Sequence, residues 1–230
     1  MHPPGIAFEP RPQPYLPHGD HARDESLGDL RFRALLSETD WAALPPAVRR
    51  RFSRRLVNGA TVVYAGIVIE TRMSRAGWWL AQAMRPIGAP LPISRDGGVP
   101  SVVAVTEDMA GGGQGQVWTR LYARRAGFPQ IIHSAKRFAG PTGLEEHVGW
   151  GIGMALTVHA VDAALVFRSA GYFVEVLGRR LPLPRWLTPG ALTVTHGELP
   201  DGWFSFTLDL VHPRFGALIR QAAVFREAGT

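Results

Sequence analysis

The spacing of apolar residues changes character twice along this chain. Residues 1–26 hold six prolines, Pro3, Pro4, Pro10, Pro12, Pro14 and Pro17, among charged and small residues with no periodic apolar positions. Such a segment buries too little to offset its ordering entropy and reads as a flexible tail. From Leu27 the pattern turns helical: Leu27, Leu30, Leu35 and Leu36 recur at near-helical spacing, and Trp41 and Leu44 close the run. Pro45 and Pro46 open a second helix, because a first helical turn tolerates proline. That helix is expected to end near Asn58-Gly59, a suitable C-cap pair.

Beyond Gly59 the period becomes two. Residues 61–72, rich in Val, Ile, Tyr and Thr, predict a strand. A short helix is expected around residues 78–84, stopped by Pro86 and Gly88. Strand-like runs follow at 101–109, 116–124, 129–138, 154–159, 163–169, 172–177, 191–196, 203–211 and 217–225. About ten strands joined by short turns imply antiparallel meander pairing rather than βαβ units. The fold class is therefore α+β: N-terminal helices followed by a long curved, mostly antiparallel β-sheet, in one domain over 27–230. So many strands in one sheet tend to curl into a barrel or half-barrel, since strands twist and edges are a liability. Trp78, Trp79 and Leu80 would then plug or cover its concave interior. His212-Pro213-Arg214-Phe215-Gly216 is expected to turn between the last two strands, because proline cannot donate to a ladder.

Composition narrows the function classes. Of the 230 residues 46% are hydrophobic, yet no apolar run is long enough for a transmembrane helix. The N-terminus lacks the apolar core of a secretory signal, which favours a cytoplasmic setting. The absence of Cys excludes disulfides, thiolate metal sites, iron–sulfur clusters and thiol nucleophiles. The net charge is +6, but Lys136 is the single lysine among 25 basic residues, a bias that fits a GC-rich genome better than a polyphosphate partner. The dense cluster Arg49, Arg50, Arg51, Arg54 and Arg55 falls on the second predicted helix and reads as a solvated face, with a phosphate-binding patch as the alternative. No aromatic pattern of an RNA-binding module accompanies it, so no nucleic-acid partner is expected.

Candidate chemistry is sparse. Gly111-Gly112-Gly113-Gln114-Gly115 lies between strands, and no helix follows to present its N-terminus to a phosphate. Gly149-Trp150-Gly151-Ile152-Gly153 shares that defect, and its glycines fit a sharp bend or the close approach of a ligand. No dinucleotide site and no cofactor are expected. His133, His147, His159, His196 and His212 match no metal spacing, and Glu145-Glu146-His147 would need a further ligand from another strand. Ser134 lacks a nucleophile elbow. In an alternating strand, however, Ile132, Ser134, Lys136 and Phe138 share one face, and Ile131, His133, Ala135 and Arg137 the other. A chain that otherwise uses arginine keeps one compact ammonium at this place. Lysine and arginine differ where a desolvated amine must meet a carboxylate or carbonyl. Glu145 or Glu146 could supply that carboxylate.

Several separated motifs carry a family resemblance. Ser134-x-Lys136-Arg137-Phe138-x-Gly140-Pro141-x-Gly143-Leu144-Glu145-Glu146, with Gly149-x-Gly151-x-Gly153, resembles the domain-of-unknown-function family DUF4166. So do Ser169-x-Gly171-Tyr172, Leu183-Pro184-Arg185-Trp186-Leu187-x-Pro189-Gly190, His212-Pro213-x-Phe215-Gly216 and the N-terminal Leu44-Pro45-x-Ala47-Val48-Arg49-Arg50. The resemblance spans about residues 30–227. In this family the domain occurs alone or fused behind a saccharopine-dehydrogenase-like oxidoreductase, so the resemblance implies an oxidoreductase partner but no catalytic residues.

Two functions remain in view, beside a third reading in which the motifs are only the turn and core signatures of an interaction domain. One is a binding module whose curled sheet encloses an apolar or amphipathic small molecule, lined by some of its seven Trp, eleven Phe and four Tyr. Lys136, Ser134, Glu145, Glu146, Tyr172, His212 and Trp78 are its candidate contacts. The other is a cofactor-independent enzyme in which Lys136 or a histidine works with a buried carboxylate as an acid–base pair. Lys136 is expected to be buried on the concave face, with its pKa lowered unless a carboxylate compensates.

Overall fold

The structure, a computed structural model, describes residues 29–88, 90–177 and 179–229. The predicted tail at 1–26 lies outside the described residues. Eleven strands follow the N-terminal helices: β1 (Thr61–Met73), β2 (Val99–Glu107), β3 (Gly115–Tyr122), β4 (Gln130–Arg137), β5 (Glu145–Gly149), β6 (Ile152–Val161), β7 (Ala164–Val176), β8 (Arg179–Pro182), β9 (Ala191–Glu198), β10 (Phe204–His212) and β11 (Gly216–Glu227). Every pairing is antiparallel, and β1 bonds to β11 while β6 bonds to β7. Ten strands thus close into an up-and-down barrel, which leaves no open edge among them. Strand β8 hangs outside the ring as a hairpin flap on β7.

Alternation drives the closure. Along β3, Gln116, Trp118, Arg120 and Tyr122 are buried, and along β4 Ile132, Ser134 and Lys136 are buried while Ile131 and His133 face solvent. The expected division of the β4 faces holds. The residues that fill one end of the barrel come from the N-terminal segment. Ser37 caps α1 (Glu38–Ala43) by accepting from the Asp40 amide, and Pro46 starts α2 (Pro46–Phe52). Phe32 and Phe52 meet edge to face at 5.2 Å, and Phe138 and Phe167 close around Phe32. We call this the lower end.

The upper end is covered by α3 (Arg75–Ala83), which Ser74 caps by accepting from the Gly77 amide. Gly77 sits where the helix touches β11: a Cβ there would overlap the Leu218 carbonyl oxygen. The segments 90–92 and 183–189 complete the cover.

Several boundaries differ from expectation. The first helical pattern breaks into a 3-10 turn (Arg33–Leu35) and α1, because Ser37 starts a new cap. The second helix ends at Phe52 and not at Asn58. Val48 and Phe52 complete its buried face, and Leu56 reaches the core from extended chain. The predicted strands at 163–169 and 172–177 are one strand, β7, whose ladder to β6 slips between Ala155 and Leu156. The Arg cluster is not a uniformly solvated face. Arg51 turns onto the barrel, with its guanidinium 3.8 Å from the Phe204 ring centroid and 3.3 Å from Glu198. The turn at Pro213–Phe215 joins β10 to β11 as expected, with His212 opposite Gly216.

Gly77→Ala should cost roughly 1–3 kcal/mol, the usual penalty of an added methyl where backbone must shift. Denaturant melting checks this, and unchanged stability would mean α3 is not seated as described.

Candidate functional site

Beneath α3 the barrel holds a cavity of about 280 Å³, close to the lower bound of small-molecule pockets. Its walls are apolar: Leu80 and Met84 from the upper cover, Ile132 and Met154 from β4 and β6, and Leu192, Val194, Phe206 and Leu208 from β9 and β10. Polar groups gather where Arg120, Ser134 and Glu146 face one another. The reason is register. Gln116 pairs with Lys136, Trp118 with Ser134, and Lys136 with Glu146, so inward residues of three neighbouring strands line up in a row.

Glu146 is the hub of that row. Lys136 Nζ donates to its Oε2 at 2.9 Å, and Arg120 Nη2 stands 3.6 Å from its Oε1. Arg120 also donates to Ser134 Oγ at 3.1 Å. Two cations share one buried carboxylate. Burial would raise the Glu146 pKa, but Lys136, Arg120 and Ser134 overcome that and hold it at about 2. Lys136 shows the other side of the imbalance. Burial lowers its pKa, Arg120 adds to the effect, and Glu146 only partly offsets it. The Trp118 and Phe167 rings, 5.6 and 5.4 Å from Nζ, are the ammonium's other neighbours, a favourable placement over π faces.

Below this row lies His196, boxed by Phe52, Trp118, Phe167, Phe204 and Phe206. Burial drives its pKa well below 6.5, and Arg51, Lys136 and Arg120 push the same way, so the ring is neutral. Its Nδ1 and the Trp118 Nε1 have no hydrogen-bond partner.

Adjacent strand residues point to opposite faces, so Glu145 leaves the site that Glu146 enters. It is fully buried on the outer wall, where Arg180 of β8 grips both its oxygens and His147 lies 3.4 Å away. Gly140 makes room: a Cβ there would overlap the Glu145 carboxylate. This ion pair ties β8, and with it the covering segment 183–189, to the barrel wall. Of the other sequence candidates, Tyr172 lines the cavity and donates its hydroxyl to the Gly190 carbonyl at 2.9 Å. Trp78 packs on the core from α3 without lining the cavity. His212 ends β10 beside the turn, 4.8 Å from Phe215, and does not line the cavity.

Arg120 and His196 were not among the sequence candidates. Arg120 had a legible signal, a charge at an inward position between Trp118 and Tyr122. His196 had none beyond its place in an apolar alternation. Among the described residues, no group of three or more His, Asp or Glu is placed to hold a metal, and Glu145 and Glu146 diverge.

The family described as Domain of unknown function (DUF4166) matches residues 44–225. The chain belongs to DUF4166. The match begins just before α2 and runs through the barrel strands to residue 225 of β11. No curated protein matches the DUF4166 chain. Among solved structures, a putative thioesterase II from Thermobifida fusca aligns with 73% of this chain and 78% of its own at 10% identity. Its TM-score is 0.18, too low to bear on the fold or the site. No helix among the described residues is long and apolar enough to cross a membrane.

The shared carboxylate sets an order of costs. Lys136→Met leaves Arg120 beside Glu146 and should cost about 3 kcal/mol, while Glu146→Gln strands two buried cations and should cost about 4–5 kcal/mol. Denaturant melts that reverse this order would contradict the arrangement. The pH profile should show two acid legs. His196, and with it the half-buried His147, has a lowered folded pKa, so stability present above pH 6.5 falls as the unfolded chain takes up protons the folded one refuses. Glu146, also lowered, adds a second loss from pH 4.5 down toward about 2. His196→Phe should shrink the first leg to the part that His147 supplies and leave the second.

Proposed function

We propose that the DUF4166 barrel is a container for a small amphipathic molecule. The observation that carries this reading is the pairing of apolar walls with one polar row inside a closed barrel. Apolar cavities with a few convergent polar groups are the usual form of small-molecule sites. The bound molecule's apolar part lies against Ile132, Met154, Leu192 and Phe206, and its polar end meets Arg120, Ser134 and Glu146. A guanidinium carries five N–H donors, and Arg120, held at Ser134 and Glu146, is the group best placed to orient that end. Leu187 both lines the cavity and is 54% exposed, so it stands at the boundary between the interior and solvent. In this reading an oxidoreductase partner, which the family's fusions imply, would draw on the molecule the barrel holds.

The alternative is acid–base chemistry by Lys136 and Glu146. It has weaker support. Acid–base catalysts work best when their pKa lies near the operating pH, and Glu146, which faces the cavity, is held at about 2. Lys136 lies behind it and does not line the cavity.

Calorimetric titration with decanol tests the container. Saturable one-to-one binding is expected, and Leu208→Trp, which fills the cavity from β10, should weaken it at least tenfold (about 1.4 kcal/mol) while the melt stays cooperative. Absence of binding, or binding indifferent to Leu208→Trp, would refute the reading.

A further inference from the structure

The strand directions send five connections to the upper end: 74–98, 123–129, 149–151, 177–190 and 213–215. Each one holds out a large apolar side chain. Trp79, Phe128, Trp150, Leu177, Trp186 and Phe215 are between 64% and 99% exposed, and none of them lines the cavity. Hairpin tips ordinarily carry polar turn residues. The lower end differs: among the described residues its connections expose Leu30, Met109 and Leu199, but no Trp or Phe.

Charge divides along the same axis. The five upper connections contain nine arginines and one acidic residue, Asp96. The lower segments, 29–60, 108–114, 138–144, 162–163, 199–203 and 228–229, contain seven arginines against six acidic residues. Among the described residues, only Arg180 of the nine upper arginines has a carboxylate partner in a salt bridge. The other eight make no salt bridge to a described residue, and Arg179, Arg185 and Arg214 are exposed beside the apolar tips.

We propose that this upper rim docks the barrel on the surface of an anionic lipid bilayer. Tryptophan, phenylalanine and leucine side chains enter the headgroup boundary, and arginines beside them meet acidic headgroups. A nucleic acid would use the arginines but gain little from Leu177, and a neutral apolar partner would leave the arginines uncompensated. A bilayer satisfies both. Docking places the covering segment 183–189, and the cavity beneath it, against the membrane. It does not depend on the cavity being filled.

Sedimentation of the full chain with vesicles tests the proposal, using phosphatidylcholine alone or mixed with phosphatidylglycerol. Binding is expected to the anionic vesicles only, and to weaken as salt screens the arginines. The Trp150→Ser/Trp186→Ser pair should lower partitioning roughly tenfold, since interfacial binding scales with buried apolar area. Arg179→Glu/Arg185→Glu/Arg214→Glu should abolish it, and Leu30→Ser/Met109→Ser should leave it unchanged. These side chains are exposed, and melting of each variant checks that folding is intact. No binding to anionic vesicles overturns the proposal, as does binding that the rim variants leave intact. Loss with the arginine variant alone, with capture of single-stranded RNA in its place, also overturns it, as does a dimer that the tryptophan pair dissociates. The cavity-filling Leu208→Trp protein should still dock, so failure of the container reading and failure of this one are read separately.

Discussion

One carboxylate held between two cations inside an apolar barrel is the constraint on which the rest of this structure depends. Glu146 accepts from Lys136 and attracts Arg120, and all three side chains are buried. A buried pair is weak evidence for stability, because desolvation consumes much of the Coulomb gain. Its value lies in specificity. The row Arg120, Lys136, Glu146 is satisfied only when β3, β4 and β5 pair in one register. A shift by one residue would turn each charge outward and bring Ile131 and His133 inside. The polar row therefore fixes the barrel's alignment in the region where β5, short and polar, has least apolar pattern of its own.

That same feature explains what could be read from the sequence. Strands with clean alternation, β1 to β4 and β9 to β11, are legible because burial of one face repeats every second residue. Lys136 was placed correctly on the inner face by Ile132 and Phe138 alone. Strand β5 was not, since Glu145, Glu146 and His147 show no apolar alternation, and their burial depends on partners distant in sequence. Arg180 reaches Glu145 across 35 residues and Arg120 reaches Glu146 across 26; no local pattern announces either. The choice between Glu145 and Glu146 as the lysine's partner is settled only by the register of β4 on β5. His196 likewise becomes unusual only once five aromatic rings from four elements close around it.

The two ends of the barrel divide the labour. At the lower end Phe32, Phe52 and Phe138 from the N-terminal segment and the β4–β5 connection seal the interior. At the upper end, the outer pair Glu145–Arg180 ties the β8 flap to the wall. The container proposed above would sit between these two differently built ends. The apolar tips and the arginines without salt bridges gather at the upper end, so the proposed contact with lipid lies on the same side of the barrel as the cavity.

The state of Lys136 tests the central claim most directly. It is the chain's single lysine, so isotope-labelled lysine gives one side-chain ammonium signal to follow by NMR through a pH titration. The account predicts a midpoint below 10.5, moving lower still in Glu146→Gln, where the compensating charge is gone. A midpoint at or above 10.5 that ignores the Glu146 substitution would describe a solvated surface amine and contradict the buried row.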